Sequence, residues 1–317
     1  MNLMLSIVVI TYNQEKYIRQ AIESIINQPK NFEYEILVCD DASTDNTPAI
    51  LKDIQVNYPD ILLNIMINTV NCGAAQNLYN LFLEARGKYI TVLEGDDYWE
   101  ITGELQKSID FLESSPQYGA ISREVKVLDE KNNIIQGNNI KIGEKFKYTN
   151  IENYFKGSPI KTCIYRNFYK NKNEDFSIIY KSARMVAEIA IGFLIVEHCD
   201  IYHTGMAWEV KRTNRVEGSF NYNSINSLHT IFEEEMTAWK YLSEVKKQYD
   251  FFPKYVTRVV NVFYTCFFGK DWKYICNIFK WVEKSKRSRL ILEIMRNAPK
   301  AFGKYIHDKR LTIKSQI

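Results

Sequence analysis

The chain has no run of the roughly 18 consecutive apolar residues that a membrane-spanning helix needs, so a spanning protein is not expected. Its 6 cysteines, Cys39, Cys72, Cys163, Cys199, Cys266 and Cys276, include no Cys-x-x-Cys pair. That absence argues against a zinc knuckle or a disulfide framework, and the thiols read most simply as reduced, buried groups in a cytoplasmic protein. Histidine is scarce, and His198, His203, His229 and His307 show no metal-ligand spacing, which points to structural or surface positions. No glycine-rich, lysine-bearing loop follows the first apolar run, so the cradle a nucleotidyltransferase would need for a triphosphate is missing. The amino terminus, MNLMLSIVVITYNQ, has no basic segment ahead of its apolar residues and meets Thr11 and Asn13 early. It reads as a first strand, not a secretory leader.

What is present is an ordinary globular composition: 317 residues, 46% hydrophobic and 25% charged, enough for about two structural units. The net charge of +3 conceals an asymmetry, because from Phe251 onward 15 Lys and Arg face 4 Asp and Glu. No nucleic-acid recognition motif accompanies this basic tail, so nucleic acid is not expected as a partner. An anionic membrane face suits it better.

The first hundred residues alternate strand and helix. SIVVIT, Ser6 to Thr11, is a continuous apolar run of the kind found in buried parallel strands. Ile18, Ala21, Ile22, Ile25 and Ile26 then recur at helical spacing, with Asn13 as the expected cap. YEILVCD predicts a second strand ending at Asp40; after it Ser43 or Asp45 can cap a helix whose first turn holds Pro48. A third strand is expected over 62–68, then a helix closed by Gly87 in a left-handed conformation, then a fourth strand, YITVL. Four strands with intervening helices make a βαβ series and a mostly parallel sheet with helices on both faces.

In such a sheet the carboxyl ends of the strands share one edge. Asp40-Asp41 follow the second strand and Glu94-Gly95-Asp96-Asp97 the fourth, so two acidic groups converge there. Each alone has a plain alternative, since Asp-rich turns and helix caps are common. The Glu94, Asp96 and Asp97 group suggests a divalent-cation site, and the convergence of both groups on one crevice is harder to dismiss than either alone.

Four segments, SIVVITYNQEKYIRQAIESIINQ, EILVCDDASTDNT, NCGAAQNLYNLFLEARGKYI and LEGDDYW, resemble in order and spacing the nucleotide-sugar half of family 2 glycosyltransferases, over roughly residues 3–115 and more weakly to about 220. The resemblance implies a GT-A fold, a nucleoside-diphosphate-sugar donor (UDP-sugar), Mg²⁺ or Mn²⁺, and inverting hexosyl or N-acetylhexosaminyl transfer to a glycan or lipid-linked saccharide in bacterial surface polysaccharide synthesis. Carried over residue by residue, Thr11 and Tyr12 line the base pocket and Asp41 accepts from the uracil ring, a role its carboxylate suits. Asp96 contacts the sugar or ribose, and Asp97 touches the metal. One departure shows: where many relatives place a basic residue toward the diphosphate, this chain has Gln76-Asn77.

The general base should come from the second half of the domain. Ala187-Glu188 stands where relatives carry Gly-Asp or Glu-Asp, which makes Glu188 the candidate, with Asp175 and Glu197 as alternatives and a solvated helix-edge residue as the plain reading. GSPIKTCIYRN resembles the family's acceptor-side strand, with Thr162 and Tyr165 as possible contacts, although an ordinary strand explains it equally well. A hairpin is expected around Lys131-Asn132-Asn133.

The expected organisation is a GT-A domain over 1–222, divided into a nucleotide-sugar half (1–115) and an acceptor half (116–222), followed by a helical basic extension over 223–317. In the extension Trp272, Ile275, Cys276, Phe279 and Val282 form one apolar face and Lys273, Asn277, Lys280, Lys284 and Arg287 another. That face either packs as a helical cap or docks on the inner membrane face, making the protein peripheral. The rival from another class is a degenerate, non-catalytic sugar-nucleotide binding module.

Overall fold

The computed structural model describes residues 3–129, 134–137, 147–156, 162–213, 227–282 and 284–314. The chain divides into two compact units, Met1–Ser227 and Leu228–Ile317. The boundary expected at 222/223 falls outside the described residues.

The first unit is built on one mixed sheet. Strands β1 (Leu5–Thr11), β2 (Tyr34–Asp40), β3 (Leu63–Ile67) and β4 (Tyr89–Glu94) pair in parallel in the order β3-β2-β1-β4. Helices α1 (Ile18–Ile26), α2 (Thr47–Asn57) and α3 (Ala74–Glu84) connect them, as the βαβ pattern predicts. Ile7, Val8 and Val9 are all fully buried, so both faces of β1 are covered, which is why its sequence is continuously apolar and not alternating.

Beyond β4 the sheet continues through β9 (Cys163–Arg166), β6 (Ala120–Asp129), β10 (Ile201–Thr213) and β5 (Tyr98–Trp99), with β7 (Ile134–Gly137) and β8 (Tyr148–Thr149) at the side. Strand β9 runs antiparallel to both β4 and β6, and β10 runs parallel to β6. The ends of β1, β2, β4, β6 and β10 therefore lie along one edge. The further described α-helices of this unit are α4 (Glu104–Ser114), α5 (Ile151–Phe155), α6 (Ile178–Ser182) and α7 (Glu188–His198). Strands β6 and β7 form the expected hairpin, while its expected turn, 131–133, lies outside the described residues.

Three local expectations are corrected. Helix α1 begins at Ile18 and Asn13 does not cap it; Asn13 sits at φ 51° and its Oδ1 accepts from the Thr44 amide at 2.8 Å, tying the β1 exit to the β2 exit. Neither proposed residue occupies the cap of α2, which is Asn46 with no side-chain capping bond; Asp45, one residue earlier, accepts from the Thr47 amide at 3.0 Å, and the Ser43 hydroxyl donates to Asp40. Gly87 is not left-handed. A Cβ there would stand 2.4 Å from the Ser6 amide nitrogen and 2.6 Å from the Leu5 carbonyl carbon, so glycine is needed for close approach to β1.

In the second unit the described helices are α8 (Leu228–Val245), α9 (Phe252–Phe268), α10 (Trp272–Ile278) and α11 (Arg287–Lys314). The amphipathic face read from the sequence is rotated. Tyr274, Ile278 and Val282 are buried at four-residue spacing, while Trp272 is 57% exposed and Cys276 also faces out. Among the described residues no helix is long and apolar enough to cross a membrane. Cys39, Cys163 and Cys266 are buried free thiols, but Cys72 and Cys276 are exposed, against the expectation that all six are buried.

The Gly87 contact gives a direct test. Gly87→Ala should destabilise the first unit by about 1–3 kcal/mol, the usual cost of forcing an atom into a packed site, because the obstructing atoms are backbone and cannot rotate away. Urea unfolding should read that loss, and an unchanged midpoint would show that the β1–Gly87 contact is slack.

Candidate active site

The acidic edge is built by two strand exits that lean on the end of β1. At the β4 exit, the Gly95 amide donates to the Ile10 carbonyl at 2.9 Å. A Cβ at Gly95 would lie 2.6 Å from Gln14 Oε1 and 2.9 Å from Thr11 Cβ, so only glycine lets this turn close down on β1. The turn buries Asp96 and Asp97 and leaves Glu94 exposed, with ligand oxygens of all three within 4.8 Å of one another.

Such a cluster needs compensating charge, and the end of β10 supplies it. The Arg212 amide donates to Asp97 Oδ1 at 2.8 Å, and its guanidinium donates to the Asp96 carbonyl and to Gln20 Oε1. That guanidinium packs over the rings of Tyr17 and Tyr98, at 4.8 and 4.7 Å. Lys211 Nζ stands 3.2 Å from Glu94 Oε1, and Glu94 raises the ammonium's pKa above its ordinary value. Burial, then the neighbouring Glu94 and Asp96, push the Asp97 carboxyl well above the usual carboxylate range. A cation among these oxygens would relieve that repulsion. The donor set is hard and oxygen-only, which fits Mg²⁺ or Mn²⁺.

At the β2 exit, Asp41 holds in place the loop between β3 and α3. Its Oδ1 accepts from the Cys72 amide at 2.7 Å and from Asn68 Nδ2 at 3.1 Å, and its Oδ2 accepts from the Gly73 amide at 2.9 Å. Its own amide donates to the Thr11 carbonyl at 2.9 Å. Three of the roughly four lone-pair positions of the carboxylate are thus engaged. Asp40 is spent on Ser43, accepting from its amide at 3.0 Å and from its hydroxyl at 2.5 Å. Thr11 is buried and donates to Gln14 Oε1 at 2.8 Å, so it sits between the two acidic corners, with half-buried Tyr12 beside it.

The other candidates separate. Glu188 is exposed at the start of α7. The segment ahead of it is tied to the loop that Asp41 holds: the Ala75 amide donates to the Arg184 carbonyl at 3.0 Å, and Arg184 Nη2 donates to Asn71 Oδ1 at 2.7 Å. Glu197 lies about 14 Å along the same helix and cannot share a site with Glu188. Asp175 is exposed and accepts from the Ser177 amide at 2.8 Å; the Ser177 hydroxyl first, and then this amide, hold its carboxyl below the usual range. Tyr165 is buried in β9 between β4 and β6 and is not placed for acceptor contact; the plain strand reading holds for it. Thr162 donates to Glu209 Oε1 at 3.2 Å. Gln76 bonds Asn80 one turn along its own helix, and Asn77 is buried, accepting from Asn68.

Sequence reasoning missed the basic side of the site and its support. Lys211 and Arg212 follow one another at the end of β10, a signal that gains meaning only once β10 is known to pair with β5, which directly follows the acidic turn. Equally unseen was the pair Arg123–Glu209: both are buried, the guanidinium meets Glu209 Oε2 at 2.8 and 2.6 Å, and it packs on Trp99 and Trp208 at 5.1 and 4.7 Å. Trp99 Nε1 donates to the same oxygen at 3.2 Å, which fixes the strand just beyond Asp97 to β10.

Comparison with known proteins identifies the family and the fold. The chain is 35% identical to the putative glycosyltransferase EpsE of Bacillus subtilis over 39% of this chain and 44% of that protein. It is 34% identical over 47% of this chain and 57% of its counterpart to WfaP of Escherichia coli, a UDP-Glc:α-D-GlcNAc-diphosphoundecaprenol β-1,3-glucosyltransferase. The matches thus span about half the length of these relatives. Staphylococcus aureus TarS 1–349, solved with UDP-GlcNAc, shares the fold with a TM-score of 0.56 at 21% identity, over 76% of this chain and 67% of that one. The expected GT-A α/β architecture is borne out, and so is the helical carboxyl-terminal region. The model for "Glycosyl transferase family 2" matches residues 6–176, more than half of the chain, and the protein belongs to that family.

Proposed function

We propose that the chain transfers a sugar from a nucleoside-diphosphate-sugar, a UDP-sugar, to a saccharide or lipid-linked acceptor with inversion, in the synthesis of a bacterial surface polysaccharide. The observation that carries the proposal is the meeting of Asp41, Thr11 and Glu94-Asp96-Asp97 along one sheet edge, with Lys211 and Arg212 beside the carboxylates. WfaP is named for a diphosphoundecaprenol-linked substrate, which supports a lipid-linked acceptor here.

In this reading Asp97 would hold Mg²⁺ or Mn²⁺, with Glu94 close by. The bound cation would offset the charge that develops on the departing diphosphate. Lys211 and Arg212 add fixed positive charge on the same side and take over what a basic residue near Gln76 would otherwise provide. Asp41 has one lone-pair position left for a uracil ring N–H, and Thr11 and Tyr12 wall the base. Asp96 faces the ribose or sugar. Glu188 takes the proton from the attacking acceptor hydroxyl; its exposure leaves it accessible to an acceptor arriving from solvent.

A UDP titration separates the two acidic corners. Asp97→Asn should abolish the gain in UDP affinity that Mn²⁺ confers on the wild type. Asp41→Asn should weaken UDP by roughly 1.5–3 kcal/mol, the range for a hydrogen bond to a charged group, with the Mn²⁺ dependence kept. Equal calorimetric isotherms for wild type and Asp97→Asn would remove the metal assignment; unchanged affinity in Asp41→Asn would remove the base contact.

Turnover tests the base. Glu188→Gln should retain UDP and Mn²⁺ affinity and lose on the order of 10²–10⁴ in transfer rate, the contribution usual for a positioned base. Near-normal transfer by Glu188→Gln, with the loss appearing in Glu197→Gln or Asp175→Asn, would move the assignment. A wild type that binds UDP and never releases it from any donor with acceptor present would instead favour the non-catalytic binding module.

The basic unit is proposed to hold the protein on the anionic inner membrane face. Ile291, Leu292 and Met295 are 48%, 52% and 66% exposed on α11, with exposed Arg289, Arg296 and Lys300 close by in sequence. Co-sedimentation with phosphatidylglycerol vesicles should fall steeply as salt rises, because each such cation contributes about 1 kcal/mol of screened attraction. Binding that salt does not alter, or none at low salt, would leave α11 as a solvated helix.

A further inference from the structure

The second unit carries a side-chain cluster that spacing along the chain does not reveal. His229 stands in the first turn of α8, Cys266 near the end of α9, and Asp271 at the cap of α10. His229 Nε2 lies 3.1 Å from Asp271 Oδ2 and 3.9 Å from Cys266 Sγ. Ligand atoms of all three fall within 4.8 Å of one another. Cys266 is 4% exposed, while the His229 and Asp271 side chains are each 39% exposed, so the cluster is closed on one side and open on the other.

Each member is held by an interaction of its own. The His229 ring stacks on Tyr274 with centroids 3.5 Å apart and planes 10° from parallel. Asp271 Oδ1 accepts from the Tyr274 amide at 3.1 Å, which fixes the carboxylate and leaves Oδ2 toward the imidazole. Preset ligands of this kind lower the entropic cost of taking up an ion.

Two simpler arrangements fit less well. In a Cys-His-Asp relay the thiol and the carboxylate meet opposite ring nitrogens, because one orients and the other exchanges the proton. Here both meet Nε2, so a relay is not formed. A His–Asp ion pair accounts for the 3.1 Å contact but not for a buried thiol aimed at the same atom. Sulfur, nitrogen and oxygen converging on one point are the arrangement of ligands around a shared cation. In a tetrahedral zinc site with Zn–N and Zn–O near 2.0 Å and Zn–S near 2.3 Å, neighbouring ligand atoms stand roughly 3.3–3.6 Å apart. The observed 3.1 and 3.9 Å lie within a few tenths of an ångström of that range.

We propose that His229, Cys266 and Asp271 form a zinc site that ties α8, α9 and α10 together, with its fourth position turned to solvent. Zinc is favoured over Mg²⁺ or Mn²⁺ because thiolate and imidazole select a borderline-soft ion, whereas Glu94, Asp96 and Asp97 offer only hard oxygens. Binding releases the Cys266 thiol proton to solvent and requires the imidazole proton on Nδ1, so that Nε2 can donate its lone pair.

The test uses the full chain, stripped with a chelator and titrated with Zn²⁺, or with Co²⁺ as a spectroscopic probe, in excess Mg²⁺. The wild type should retain one zinc per chain after gel filtration, gain thermal stability with zinc, and show a thiolate-to-cobalt charge-transfer band. Cys266→Ser should lose the band. Asp271→Asn keeps an effective helix cap and should weaken zinc by at least the roughly 10–100-fold that even an outer-shell change costs; His229→Gln should do the same. Asp97→Asn should leave the cobalt band intact. A wild type that takes up no zinc overturns the proposal, as does zinc binding unaffected by Asp271→Asn and His229→Gln. So does a cobalt band that survives Cys266→Ser or vanishes with Asp97→Asn. Circular dichroism of each variant confirms that the helices persist, so loss of binding is read as loss of a ligand.

Discussion

The first unit depends on how one cation is placed beneath a turn of carboxylates. Arg212 donates its amide to Asp97, its guanidinium to the Asp96 carbonyl and to Gln20, and lies between the rings of Tyr17 and Tyr98. Without it, Asp96 and Asp97 would be buried beside Glu94 with like charges facing one another, an arrangement that protonates or opens. Arg212 also joins elements far apart in sequence: α1 through Gln20, the β4 exit through Asp96 and Asp97, and β10 through its own backbone.

The same principle recurs one layer further in. Arg123 and Glu209 are buried together, clasped by Trp99 and Trp208, and they link β6 to β10 just beyond the acidic turn. A buried pair of this kind is weak evidence for stability, since desolvation offsets the attraction. What it provides here is registry. Glu209 fixes Trp99, Trp99 follows the acidic turn by two residues, and Arg212 lies three residues along the strand from Glu209. The site geometry is therefore set by the pairing of β6, β10 and β5 at one end of the sheet, and Gly95 permits the final closure onto β1.

A division of metal chemistry would follow if both proposed ion sites are occupied. The strand exits present only carboxylate oxygen, and the helical unit presents sulfur, imidazole and one carboxylate oxygen. Hard and borderline ions would then partition between the units by ligand type without either site needing high selectivity. A sugar transfer that responds to Mg²⁺ or Mn²⁺ and a helical unit that responds to zinc are physically compatible in one chain.

The sequence by itself determined the βαβ series, the parallel core strands and the convergence of the two acidic exits, because these follow from local apolar runs and from the rule that parallel strands end on one edge. The four quoted segments carried the family as well. Local chemistry misled where a residue had a second partner: Asn13 has the side chain of a cap but bonds across to Thr44, and Gly87 suits a helix end but is spent on the backbone of β1. What only the tertiary structure decided was everything that depends on elements distant in sequence. The pairing of β10 with β6 and β5 brings Lys211 and Arg212 to the carboxylates, the Asn71–Gly73 loop takes up most of Asp41, and helix packing gathers His229, Cys266 and Asp271. Periodicity records which face of an element is buried but not which element covers it, so counter-charges and ligands that arrive from a remote strand or helix leave no mark in the spacing.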